Sequence, residues 1–179
     1  MRPLTVIATT ALLAMSLPVV GQTCKTDSIE PSVEPDRMVD NTDGTVTDAQ
    51  TGLMWSQCSL GQTWTESGCE GAPNDYSWRE ALQAAKQFND GGGLAGNTDW
   101  RLPNIKELSS IVEHQCDSPA INLTFFPDTP SATYLSSTPA VNQSAGVDGG
   151  RSIDFGTGSD LTPEVDALRH VRLVRDPGN

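Results

Sequence analysis

Residues 99–108 read Asp-Trp-Arg-Leu-Pro-Asn-Ile-Lys-Glu-Leu and contain the start of a helix. Asn104 precedes an apolar pattern of helical spacing, and Glu107 follows three residues later. This is a capping box, in which the cap side chain accepts from the helix backbone and the glutamate reaches back to the cap N–H. Pro103 directs the chain into the helix because its ring fixes φ. We predict a helix whose buried face carries Ile105, Leu108, Ile111 and Val112.

The first half of the same stretch joins a glycine-rich loop to this helix. We predict that Trp100 and Leu102 enter the core and that Arg101 between them pairs internally. The loop, residues 91–99, lacks both GxGxxG and the GxxxxGK[ST] lysine that phosphate binding requires. It is therefore interpreted as a connector and not as a nucleotide site.

A second capping signal lies upstream, at Ser77 and Glu80. The apolar residues that follow at helical spacing are Trp78, Ala81, Leu82, Ala85 and Phe88. The pattern predicts an amphipathic helix that ends within residues 89–93, where consecutive glycines remove the preference for helix.

Short strands are predicted toward both ends of the chain. Residues 45–47 and 53–55 are two strands joined by a turn, and later strands are expected at 134–138, 152–155 and 167–174. The last of these closes a sheet against the N-terminal hairpin, and proline and glycine punctuate a long loop-rich region before it. The result is an α+β domain with a small, mostly antiparallel sheet of terminal strands and two helices.

The composition limits the size of the fold and the class of partner. The chain has 179 residues, with 11 Lys+Arg against 23 Asp+Glu and a formal net charge of −12. This length fits one domain with short appendages. A strongly acidic surface has the wrong sign for neutralising phosphates, so nucleic acid is not an expected partner.

Residues 1–21 are typical of a secretory signal peptide. Arg2 supplies a positive n-region, residues 4–17 form an apolar run, and small or aliphatic residues precede the expected cleavage point. No later stretch of the sequence approaches the roughly 20 apolar residues of a transmembrane segment. We predict a secreted or periplasmic protein with an extended, unpacked segment at 22–38 and a folded domain at 39–176.

Four cysteines lie downstream of the signal peptide. An even number in an exported chain favours disulfides, and the chain lacks CxxC and the ligand spacing of zinc sites. Among the three pairings, we predict Cys58 with Cys69, which closes a short polar loop. We also predict Cys24 with Cys116, which ties down an otherwise unanchored N-terminal segment.

Six short motifs follow one another along the chain: DGTVTD at 43–48, TGLMW at 51–55, DWRLP at 99–103, KEL at 106–108, YLSST at 134–138 and VRLVR at 171–175. Over residues 36–176 they resemble the Lcl C-terminal domain family, named after a domain of a bacterial collagen-like adhesin. The resemblance implies a C-type-lectin-like fold, and residues 100–108 are also similar to a segment of the formylglycine-generating enzyme fold. Leu135 departs from the pattern, because the family usually has Trp there.

The resemblance implies an exported, non-enzymatic binding module with adhesin-like recognition of a glycan or another extracellular ligand, such as a protein. The collagen-like adhesin's domain binds sulfated glycosaminoglycans. A structural or protein-interaction subunit of an envelope assembly is the alternative. An enzyme related to formylglycine-generating enzymes is less favoured, because Cys58 and Cys69 lie in the wrong region to supply its catalytic cysteine pair.

The predicted ligand-contacting residues are Trp64, Arg151, Arg169 and Arg172. Trp64 lies in a polar loop, whereas the apolar surroundings of Trp55, Trp78 and Trp100 indicate core packing. The arginines, together with Arg175, are candidates for the basic patch that a polyanion would need. The alternative for these arginines is that they hold a sheet edge through salt bridges.

Calcium is the one cofactor for which the sequence offers candidates. These are the carboxylates of Asp148, Asp154 and Asp160, followed by Glu164 and Asp166, in the region where C-type lectins bind calcium. Their order does not match the proline-flanked motif of sugar-binding lectins. Solvated loop acids are therefore the alternative interpretation, and no cofactor is predicted.

Overall fold

The computed structural model describes residues 21–34, 36–142, 146–161 and 167–178, so nearly all of the predicted signal peptide lies outside it. In this part of the chain the two helices are α1 (Trp78–Asp90) and α2 (Ile105–Ser109). The strands are β1 (Thr23–Cys24), β2 (Met38–Asp40), β3 (Thr45–Asp48), β4 (Met54–Ser56), β5 (Thr63–Thr65), β6 (Gly68–Glu70), β7 (Cys116–Asp117), β8 (Thr133–Asn142), β9 (Gly146–Asp154), β10 (Ser159–Leu161) and β11 (Val174–Arg175). The architecture is α+β, with small antiparallel sheets and two helices, as predicted.

The largest sheet joins the two ends of the domain in the order β11-β4-β3-β2. Every pair in it is antiparallel, so the C-terminal strand closes on the N-terminal hairpin as predicted. The predicted strand at 167–174 is nevertheless reduced to Val174–Arg175. The residues before β11 make isolated bridges instead, Arg169 to Tyr76 and His170 to Tyr134, because this segment runs between two different elements.

A second sheet has the order β10-β9-β8. Its strands β8 and β9 are longer than the strands predicted at 134–138 and 152–155. Strand β8 continues through Pro139, and its register with β9 shifts between Leu135 and Pro139. Such an irregularity accommodates a proline, which has no N–H to donate to the ladder. Two further sheets contain two strands each, β1 with β7 and β5 with β6.

Helix α1 begins with the predicted capping box, in which Ser77 and Glu80 bond reciprocally. Its buried face differs from the prediction at two residues: Leu82 is 42% exposed, whereas Ala84 is buried. Small residues therefore line the contact face, and the large aliphatic side chain lies outside it. Neither helix in the described ranges has the length and apolar character needed to cross a bilayer.

Helix α2 has the predicted capping box between Asn104 and Glu107, but it ends at Ser109. Ile111 and Val112 are buried as expected, although they lie beyond the helix. Val112 instead forms a bridge with Ile121, and this pairing replaces a further helical turn. β-branched residues favour such extended pairing.

The stretch that joins the glycine loop to α2 has the predicted arrangement. Trp100 is 2% exposed and Leu102 is 4% exposed. Arg101 donates to Glu107 at 2.8 Å and to Asp176 at 2.7 Å, so it pairs internally. These hydrogen bonds raise the pKa of Arg101 and connect the start of α2 with the end of the chain.

Buried apolar residues form two clusters. One contains Trp55 from the four-stranded sheet and Leu108 from α2. The other lies beneath α1 and contains Trp100, Leu102 and Leu135. Leu135 is 2% exposed, so the position where the family usually has Trp is a core position here.

The N-terminal segment packs against the core of the domain. This corrects the expectation that residues 22–38 are unpacked. Val33 is 1% exposed and belongs to the core cluster that contains Trp55. The backbone N–H groups of Ser32 and Val33 donate to the buried Glu113 carboxylate at 2.9 and 3.1 Å. The predicted disulfides Cys24–Cys116 and Cys58–Cys69 are both present. The first of them fastens this segment to the strand that follows Glu113.

A pH-dependent stabilisation is expected from Asp48, whose fully buried carboxylate pairs with Arg37. Burial acts to raise the pKa of Asp48, but hydrogen bonds from Arg37, Thr51 and Gln50 outweigh it and hold the pKa below its ordinary value. A carboxyl with a lowered folded-state pKa contributes stability above its unfolded pKa of about 4, and loses it as pH falls through the folded pKa.

Asp48→Asn should therefore lower the free energy of unfolding by about 1 to 3 kcal/mol at pH 7. The difference from wild type should begin to shrink below about pH 4, where the carboxyl of the unfolded chain takes up a proton, and should vanish only below the lowered pKa of the folded state. Urea unfolding between pH 2 and 7 measures both quantities. A difference that stayed constant over this range would contradict the assignment.

Candidate functional site

Trp64 lies in a short hairpin made by β5 and β6, which we call the Trp64 hairpin (residues 63–70). It stands opposite Cys69 in the register, with the turn at residues 66–67 between the strands. The indole is half-buried. The sequence predicted a polar loop here, although the alternation Thr-Trp-Thr before Gly68 was a signal for a strand and turn.

The Trp64 hairpin is fastened to the body of the domain at Cys69. The Cys58–Cys69 disulfide holds this residue from one side, and its N–H donates to Asp128 Oδ2 at 2.9 Å. The Gln62 side chain accepts from the Ser59 N–H at 3.0 Å and donates to the Asp128 carbonyl at 3.3 Å. Sequence reasoning missed Asp128, because no local pattern links it to a residue 59 positions away.

The indole of Trp64 packs against the turn at Gly44. A Cβ atom at Gly44 would lie 2.9 Å from Trp64 Cγ, and its φ of +85° is in the region that favours glycine. Glycine at this position therefore allows the ring to lie close to the backbone. One part of Trp64 is held against the protein while the rest remains accessible.

The other tryptophans are oriented toward the interior, as their apolar surroundings predicted. Trp55 is 0% exposed and Trp100 is 2% exposed. The Trp78 ring N–H donates to the Ser136 carbonyl at 2.9 Å, and that of Trp100 donates to the Leu94 carbonyl. Trp64 is therefore the tryptophan whose position best fits a surface contact.

The predicted arginines do not form a basic surface. Arg169 and Arg172 are buried, and Arg169 donates to the Ser152 hydroxyl at 2.9 Å. A ligand in solution does not reach these two guanidinium groups in this structure, which corrects their assignment as contacts. Arg151 is on the surface, where it pairs with Asp160.

Arg175 holds a sheet strand through a salt bridge, which was the alternative role for the arginines. It is buried and donates to Asp99 at 2.7 and 3.1 Å. Through these hydrogen bonds the guanidinium holds the pKa of Asp99 below its usual value. The pair fastens β11 to Asp99, which directly precedes Trp100.

Arg172 is enclosed by neutral groups. Its guanidinium donates to the carbonyls of Ser56 and Gln57 and to the Thr129 hydroxyl, and it lies 4.8 Å from the centre of the Phe126 ring. Burial lowers the pKa of Arg172. Burial also raises the pKa of Tyr134, whose hydroxyl shares a hydrogen bond of 2.5 Å with Ser59.

The calcium candidates are not brought together in the part of the chain that the structure describes. Asp160 lies opposite Ile153 in the register, and Asp154 lies opposite Ser159. Because neighbouring strand residues point to opposite faces, the Asp154 and Asp160 side chains project from different faces of the sheet. Among the described residues no group of three possible metal ligands occurs. The Asp148 side chain, Glu164 and Asp166 lie outside that description.

A cavity of about 550 Å³ lies between α1 and α2, and sequence reasoning did not predict it. Leu82, Lys86, Trp100 and Glu107 are among the residues that line it. Its charged groups are already paired, Lys86 with Asp90 and Arg101 with Glu107. These ion pairs leave little charge for recognising a ligand, so the Trp64 hairpin is the better candidate site.

Comparison with known proteins supports the resemblance found in the sequence. The family model for the Lcl C-terminal domain matches residues 44–175. No curated protein and no solved structure matches significantly. The matched region contains the Trp64 hairpin, both core clusters for the most part, and the C-terminal strand. Since the match covers well over half of the chain, this protein belongs to the Lcl C-terminal domain family.

Proposed function

We propose that this protein is an exported, non-enzymatic binding module that recognises a glycan or another extracellular ligand in the manner of an adhesin. Membership of the Lcl C-terminal domain family supports an extracellular binding role. The observation that carries the proposal is the Trp64 hairpin: a half-buried indole, fixed by a disulfide and by Asp128, on an otherwise polar segment. A rigid aromatic ring of this kind offers a large contact area at little entropic cost.

We further propose that the ligand is uncharged and not a sulfated chain. Arg169 and Arg172 are buried, and Arg151 is paired with Asp160, so these arginines provide no free cationic patch. The sequence contains no Lys or Arg between Arg37 and Arg79, the segment that includes the Trp64 hairpin. A polyanion would therefore meet an acidic surface around Trp64, whereas a neutral sugar ring can stack its apolar face on the indole.

The setting of this module is part of the proposal. Residues 1–21 are proposed as a signal peptide, and the mature protein as secreted or periplasmic. Both disulfides support an oxidising compartment. The small antiparallel sheets and two helices support a C-type-lectin-like arrangement of the domain at 39–176. The same domain also packs against Val33 from the preceding segment.

A protein-interaction role in an envelope assembly is the second candidate. It is favoured by the cavity between α1 and α2, where Leu82 is 42% exposed beside Trp100 and Glu107. A catalytic role has less support, because Cys58 and Cys69 form one disulfide and Cys24 and Cys116 form the other, which gives both pairs a structural role.

A glycan array tests the proposed function. Mature protein, residues 22–179, is screened with and without a chelator, beside the variants Trp64→Ala and Arg151→Ala. We expect chelator-resistant binding to uncharged glycans that Trp64→Ala strongly weakens and Arg151→Ala preserves. Binding to sulfated chains that depends on Arg151 would contradict the ligand class. Binding that needs calcium would instead support the loop carboxylates, and an array without signal would favour the protein-interaction role.

A further inference from the structure

The buried Arg172 side chain has an unusual set of partners for a cation. In the described part of the chain its hydrogen bonds go to neutral oxygens: the carbonyls of Ser56 and Gln57 and the hydroxyls of Ser59 and Thr129. Among the described residues, its Nε finds no hydrogen-bond partner. Burying a guanidinium without a carboxylate is costly. The charge is therefore stabilised by these hydrogen bonds and by the cation–π contact with the Phe126 ring.

The groups that Arg172 contacts belong to two separate segments of the chain. Nη1 donates to residues 56 and 57, which lead directly into Cys58, and the Ser56 bond is 2.9 Å long. Nη2 donates to Thr129 at 2.7 Å, which directly follows Asp128. The planar fork of the guanidinium thus fixes these two segments relative to each other.

These two segments are also the two anchors of the Trp64 hairpin. Cys58 bonds covalently to Cys69, and Asp128 accepts from the Cys69 N–H. Cys69 is the residue directly opposite Trp64. The path from Arg172 to Trp64 therefore consists of two short branches that meet at Cys69.

We infer that Arg172 is the positioning residue of the Trp64 hairpin: its two nitrogens hold the Cys58 and Asp128 anchors at the separation that places Trp64 on the surface. Arg172 does not itself touch the ligand. The inference rests on the proposed function where it concerns binding, but the positioning is measurable without any ligand. A lysine cannot replace the arginine, because a single ammonium lacks the two divergent nitrogens that reach both segments.

Amide hydrogen exchange, followed by NMR on the ligand-free mature protein, tests this inference. The reporter is the Cys69 amide, which bonds to Asp128, and the reference is the Asp48 amide, which bonds to the Leu53 carbonyl at 2.8 Å. The variants are Arg172→Lys and Arg172→Met. Arg175→Lys is the matched control, because Arg175 is also buried near the C-terminus but pairs with Asp99.

Arg172→Lys should accelerate exchange at Cys69 about tenfold more than at Asp48, with the disulfide intact by mass. Arg175→Lys should leave the ratio of the two rates unchanged. Equal acceleration at both amides would mean that Arg172 only stabilises the core, and no change at Cys69 would equally overturn the inference. If the Arg172 variants do not fold, Thr129→Val removes one branch alone and must raise the same ratio. A raised ratio combined with unaltered ligand binding by Trp64→Ala would refute the proposed function and leave the positioning role standing.

Discussion

Trp100→Ala is expected to lower the free energy of unfolding by about 3 to 5 kcal/mol. The side chain is 2% exposed and packs with Leu102 and Leu135 in the cluster beneath α1. Its backbone N–H and carbonyl are also bonded to the Asn89 side chain at 3.0 and 2.7 Å. The truncation removes buried apolar area and leaves a cavity at the junction of the glycine loop with α2. For a domain of ordinary stability, this loss is a large part of the total.

Urea unfolding of the Trp100→Ala variant measures the effect, and Trp64→Ala is the control. Trp64 is half-buried in a two-stranded hairpin outside both core clusters, so its truncation should change the free energy of unfolding much less. If Trp100→Ala were as stable as wild type but no longer bound the ligand, residues 100–103 would be a binding surface. The assignment of the two tryptophans would then be reversed.

Replacing Cys24 and Cys116 by serine should cost about 4.6 kcal/mol, since the bond closes a loop with a sequence separation of 92. Without this cross-link the unfolded chain gains entropy, and the N-terminal segment must hold Val33 in the core through non-covalent contacts alone. The Gln22 side chain also donates to the carbonyls of Pro119 and Ile121 at 2.6 Å, and this contact depends on the same attachment.

The matched variant replaces Cys58 and Cys69, whose separation is 11, and should cost about 3 kcal/mol by the same chain-entropy estimate. Urea unfolding under non-reducing conditions compares the two variants with wild type. A smaller loss for the Cys24 and Cys116 variant than for the Cys58 and Cys69 variant would show that the N-terminal segment contributes little to the folded domain.

Features set by neighbouring residues could be predicted from the sequence. Both capping boxes, the start of each helix and the burial of Trp100 follow from short-range rules. The two disulfides could be predicted because only three pairings were available and one cysteine stood alone near the N-terminus. The pairing of β11 with β4 followed from the position of the last strand.

Features that depend on distant contacts could not be predicted in this way. The burial of Arg172 depends on carbonyls and a hydroxyl that lie 43 to 116 residues away. An arginine on a terminal strand resembles a surface residue in the sequence, because arginine is almost never fully buried. The anchoring of the Trp64 hairpin by Asp128 is equally non-local. The packing of Val33 was missed because nearby prolines suggested an extended segment, while its partner Glu113 lies 80 residues away.

The binding affinity of Trp64→Ala, compared with wild type on the same uncharged glycan, tests the central claim most directly. Thermal unfolding of the same samples shows whether the fold is preserved. We predict that the variant unfolds within a few degrees of wild type while its Kd rises by about tenfold to a hundredfold, as for an aromatic contact residue. An unchanged Kd in a folded Trp64→Ala protein would contradict the proposal that the Trp64 hairpin is the ligand-binding surface.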